Sequence, residues 1–172
     1  VEHKVSLISG VHDLLPNRVG GAAMQKNLET LGDIIYTEEE IDFALEMQRN
    51  NGKPELGIDG IIRPLRETLD SPGGGSTDSG DVSYNVPVVS LAATTAPKGV
   101  PWHSWSVVAS SGMSIGHKGM LHAAKALGMT MVDIFKDSKL REDIKKEFDE
   151  KIGEYEYDPY LDPGPPPIDY VD

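Results

Sequence analysis

Between Ser114 and Lys136 the sequence runs without a proline, and apolar residues return at helical spacing. His117, Met120/Leu121, Ala124, Leu127/Gly128, Met131 and Ile134/Phe135 fall on one face of an α-helix. That stripe is expected to face a core, so the rest of the chain must cover it. His117 sits in the first turn and is expected to point inward. The positive end of the helix dipole disfavours its protonated form, leaving a neutral imidazole able to bind metal or substrate. A satisfied core histidine is the structural alternative. His122 falls on the polar face with Lys125 and is expected to be solvated.

The other elements follow from the same patterns. Residues 18–31 repeat apolar positions at Met24, Leu28 and Leu31, and Gly32 is a natural stop. Thr37-Glu38-Glu39-Glu40 is a capping box for a helix over 38–50. Leu140, Ile144, Phe148 and Ile152 line one side of a last helix over 139–152. Residues 3–11 alternate loosely and predict a strand; 86–92 (VPVVSLA) predict a buried one, and 61–69 a short, irregular one around Pro64. The run 94–113 is expected to be a long functional loop. Helices flanking a few strands give an α/β expectation, a partial α-β-α half-domain. Residues 153–172 are acidic and proline-rich, and are expected to form an extended, mobile tail.

With 172 residues the chain can bury one ordinary core. A net charge of −12 and a pI of about 4.7, with no basic stripe, argue against nucleic acid and anionic membranes as partners. The absence of cysteine excludes disulfides, a thiol nucleophile and thiolate metal sites, and fits a cytoplasmic protein. No apolar run approaches the roughly 18–20 residues needed to span a bilayer, and Val1-Glu2-His3-Lys4 has no signal-peptide pattern. The missing initiator Met suggests a cleaved or excised piece.

Three places carry possible chemistry. His103, flanked in Pro101-Trp102-His103-Ser104-Trp105 by two indoles, is a candidate metal ligand in the loop after the buried strand. Its structural alternative is a surface or packing histidine. Asp78 and Asp81 follow Gly73-Gly74-Gly75; they can ligate a hard cation, fix a histidine, or cap a helical turn over 78–85. The glycines lack the Gly-Lys-Ser/Thr ending of a phosphate loop, and no Gly-x-Ser-x-Gly or His-Glu-x-x-His motif occurs.

Taken in order, Leu15-Pro16-Asn17, Gly75–Tyr84 (GSTDSGDVSY), Gly99–Trp105 (GVPWHSW) and Ser114–Met120 (SIGHKGM) resemble the end of a zinc-dependent peptidase/amidohydrolase family. That family contains aminoacylases, carboxypeptidase-G-like enzymes and auxin-conjugate hydrolases. The resemblance covers roughly residues 1–150. It implies that 1–16 is the last strand of a lid or dimerisation domain and that 17–152 is the C-terminal half of a catalytic domain. It makes His103 the family's last metal ligand, with Trp105 in place of a proline common in related branches. Asp78 would lie near the site without ligating. His117, where most branches carry a small residue, would line the substrate pocket with Trp102 and Trp105. The complete protein would hold two zinc or manganese ions. Its water, activated by the metals, would cleave the amide of an N-acyl or aminobenzoyl amino acid. The other ligands and the general-base glutamate are expected upstream, so this chain alone should be inactive and hold no metal tightly. Its partners would be a small amide substrate, the rest of the same polypeptide, and a second subunit in a homodimer. The alternative is a non-catalytic acidic α/β binding or assembly module.

Overall fold

The computed structural model describes residues 1–3, 5, 7–66, 75–161 and 163–164. Its architecture is helical: α1 (Arg18–Leu31), α2 (Glu38–Asn50), α3 (Ser79–Ser83), α4 (Trp105–Ser111), α5 (Ser114–Lys136) and α6 (Ser138–Ile152).

Three of the long helices begin where the sequence supplies an acceptor for orphan backbone N–H groups. Asn17 accepts from the Gly20 N–H at 2.8 Å, and its amide donates to the Ile144 carbonyl of α6 at 2.9 Å. Glu147 of α6 also reaches α1, accepting from the Arg18 and Val19 N–H groups at 2.8 and 2.7 Å. The start of α1 is thus fastened by two groups of a helix more than 120 residues away. The Thr37–Glu40 capping box forms as expected, with both reciprocal bonds. Asp137 caps α6 through the Leu140 N–H. Gly32 closes α1 at φ +74°.

The small core lies where α1 crosses α5. Met24, Leu28 and Ala126 are buried together, with Leu31, Ile62, Val89 and Leu91 against them. Asn27 of α1 donates to Thr130 and Asp133 of α5 at 3.0 and 2.8 Å. α6 packs on both α1 and α5, with Ile144 buried and Leu140, Phe148 and Ile152 half-buried.

The α/β expectation is overturned. About half of the chain is helical, and no sheet forms among the described residues. The expected strands 3–11, 61–69 and 86–92 leave a single parallel bridge, Pro16 to Val88. Residues 4, 6 and 67–69 lie outside the described ones. The physical reason is pairing. A strand is stable only when its backbone groups find a ladder, and two short strands alone are marginal. Pro16 and Pro87 each lack the N–H such a ladder needs. Alternation specifies which face a strand buries, but it does not provide a neighbour.

Two further expectations change. The run 94–113 is not all loop, because Trp105–Ser111 forms α4. The chain after Gly153 is anchored in part: Tyr155, Tyr157 and Tyr160 lie against His12. Residues 162 and 165–172 lie outside the described ones.

Candidate functional site

The His103 turn is held from both sides. Ahead of it, fully buried Gln48 of α2 donates to the Gly57 and Lys98 carbonyls, each at 2.9 Å, and accepts from the Gly57 N–H. The Lys98 ammonium pairs with Asp59, and Val100 is buried. Behind it, Asn51 donates to buried Ser106 of α4 at 2.7 Å. Between these anchors Ser104 donates to the Pro101 carbonyl at 2.5 Å.

His103 is exposed at the apex, at φ +60°, the one described non-glycine residue with positive φ. Such a conformation is sparsely populated, though histidine tolerates it better than most. It persists here because the anchored flanks impose it. Trp102 and Trp105, expected to line the substrate pocket, are 71% and 59% exposed within this chain.

His117 corrects the sequence reading more sharply. The face it shares with Met120, Ala124, Leu127, Met131 and Phe135 exists but is turned outward, and His117 is exposed. α5 instead buries Ile115, Gly116, Gly119, Ala126 and Thr130. The cause is in the motif Ser114–Met120. A Cβ on Gly116 would meet the Ser111 carbonyl oxygen at 2.3 Å, and one on Gly119 the Thr94 carbonyl oxygen at 2.3 Å. The glycines let backbone approach that side closely. Lys118 donates to Glu40 at 2.6 Å and to the Ile35 carbonyl at 2.9 Å, tying α5 to the capping box of α2. Burial alone would raise the Glu40 carboxyl. Hydrogen bonds from Lys118, Ser114 and the Thr37 backbone outweigh it and hold the group at about 2. His122, expected to be solvated, is half-buried, and its Nε2 has no hydrogen-bond partner among the described residues.

Asp78 is exposed and precedes α3 without making a side-chain cap. Its neighbour Asp81 does what a carboxylate in this turn was expected to be able to do, and fixes a histidine. The histidine is His12, which sequence reasoning left unweighed. His12 is 8% exposed. Its Nδ1–H donates to Asp81 Oδ1 at 2.8 Å, and its Nε2 accepts from the Tyr155 hydroxyl at 2.9 Å. The carboxylate partner assigns this tautomer. Asp81 Oδ1 also accepts from Tyr157 at 3.1 Å, and Tyr160 stacks on the imidazole at 4.4 Å. The His12 hydrogen bond holds Asp81 below the usual carboxylate range. A cleft of about 550 Å³ opens alongside, lined in part by Asp13, Tyr84, Lys151 and Tyr160. Both ring nitrogens of His12 are occupied by protein partners. The cluster therefore acts as a clamp on residues 155–160 and presents no base to a ligand. No local signal could have found it, since His12 and Asp81 are 69 residues apart.

Among the described residues no group of three or more His, Asp or Glu side chains is placed to hold a metal ion. A metal site needs at least three protein donors. The described residues of this chain therefore do not complete one. His103 can offer a single lone pair at a fixed place, and among the described residues it belongs to no group of three or more such side chains.

Among curated proteins, the chain is similar to a p-aminobenzoyl-glutamate hydrolase subunit from Escherichia coli (strain K12). It is 34% identical over an alignment of 157 residues, which covers 77% of this chain and 33% of the relative. The chain thus spans about a third of the length of the curated relative it matches. No family model matches, and no solved structure matches. The match bears out the family resemblance of the motifs, which point within the amidohydrolases to the branch of p-aminobenzoyl-glutamate utilisation protein B.

Proposed function

We propose that this chain, a relative of an amidohydrolase subunit, is the C-terminal portion of a metal-dependent hydrolase. Its substrate would be the amide of p-aminobenzoyl-glutamate or of a closely related N-acyl amino acid. The observation that carries the reading is the match to a hydrolase of that name across most of this chain. It is supported by an imidazole displayed in a constrained backbone conformation on an anchored turn.

In this reading His103 is one donor to a zinc or manganese ion, and the remaining donors and the proton-shuttling glutamate come from polypeptide outside these residues. The metal would supply the activated water; this chain's part is to fix one ligand's position. Asp78 and the two tryptophans would face the substrate side only once that polypeptide is in place, and a homodimer and a cytoplasmic location belong to the same proposal. The isolated chain is expected to be inactive. The test is turnover of p-aminobenzoyl-glutamate by the purified 172-residue chain and by the longer polypeptide that carries its sequence. Turnover by the longer form alone is the expected result. Turnover by the isolated chain, with rigorously excluded contamination, overturns the reading, and so does a longer form that leaves this substrate intact.

A further inference from the structure

The helix α5 is apolar on two opposite faces. One is buried at Ile115, Gly119, Ala126 and Thr130, and the helix packs on α1 and α4. On the other, Met120, Leu127, Met131 and Phe135 are 59%, 43%, 58% and 76% exposed. An amphipathic helix of a globular protein normally turns its apolar stripe to a core and its polar face to water. No described helix is long and apolar enough to cross a membrane. Scattered exposed hydrophobic residues need no explanation, but a continuous stripe along a 23-residue helix marks an interaction surface.

We infer that the outward stripe of α5 is the docking surface for the polypeptide that corresponds to the other two thirds of the amidohydrolase. The inference rests on the proposed function and names its partner and its contact. Two observations choose this occupant. The chain spans only 33% of its relative's length, and the rest of that relative is about twice the size of this chain. The stripe also opens with exposed His117 and runs along a helix packed on α4, which starts two residues after exposed His103. One partner lying here covers the apolar face and brings further ligands toward the same edge of the molecule.

Methionine oxidation reads the contact directly, because a thioether must meet peroxide to form the sulfoxide. Met24 and Met47, 3% and 5% exposed, are internal references. In the 172-residue chain Met120 and Met131 should oxidise much faster than these references. In the longer polypeptide they should slow by at least ~10-fold, to the rate of residues reached only through local opening. Met131→Glu should leave the thermal midpoint of the 172-residue chain unchanged, yet return Met120 to fast oxidation in the longer form. A residue that merely packed within this chain would lower the midpoint in both.

Fast oxidation of Met120 and Met131 in the longer polypeptide overturns the inference. So does protection that already exists in the 172-residue chain and tracks its self-association, which would make a second copy the occupant. Metal content and hydrolysis on the same samples separate the two readings. Protected methionines without metal or turnover support the docking surface and overturn the hydrolase. Turnover with unprotected methionines does the reverse.

Discussion

Glu40 carries two duties that pull its ionisation in one direction. It closes the capping box with Thr37, and it receives the Lys118 ammonium from the first turn of α5. Both bonds favour the carboxylate, so its value falls from 4.5 to about 2 despite burial. A group whose folded value is depressed binds protons more readily when unfolded. Its stabilisation is therefore complete above about pH 4.5 and is lost as pH falls toward about 2. Thermal midpoints measured across that window should decline in the native chain. Glu40→Gln should flatten the decline, because the amide can still accept from Thr37 but does not titrate. An identical slope in the variant would show that other carboxylates set the acid limit. At this same scale the motif around His117 resolves into packing. Its lysine serves the pair with Glu40 and its glycines serve close backbone contact, while the imidazole of His117 and the side chain of Met120 stay exposed.

Among the elements, α1, α2, α5 and α6 were legible because helix signals are local: caps, stops and a 3.6-residue period sit within one stretch of sequence. The strands were not, since a strand's existence depends on a neighbour that its own alternation cannot name. The stripe of α5 was legible as a stripe, but its direction was not. Two apolar faces compete for the core, and Gly116 and Gly119, whose lack of side chains permits the closer approach, decided the outcome. The His12 clamp was illegible because its parts come from three separate segments. It makes a prediction of its own. His12→Phe keeps a ring to stack on Tyr160 but loses the side-chain bonds to Asp81 and Tyr155. At about 1 kcal/mol per hydrogen bond the variant should lose roughly 2 kcal/mol. Residues 154–161 should lose amide-exchange protection while α1 keeps its own. Equal loss across both would mean that the clamp supports the whole fold.

For the molecule as a whole, the structural facts point one way. One imidazole stands on an anchored turn, no three-ligand metal group forms among the described residues, and one long helix keeps an apolar face uncovered. The curated relative is about three times as long and carries the name of a p-aminobenzoyl-glutamate hydrolase. A chain that holds one corner of a metal centre should pass every test of folding and fail every test of catalysis until the remaining polypeptide joins it. The most direct measurement is the metal content of that longer polypeptide, purified with His103 and with His103→Ala. The expected result is two zinc or manganese ions per polypeptide in the first. The variant should show reduced occupancy and a loss of turnover of at least ~10–100-fold, the cost typical of disturbing even a partner of a metal ligand. Unchanged metal content and turnover in His103→Ala would contradict the assignment of this chain to a metal centre.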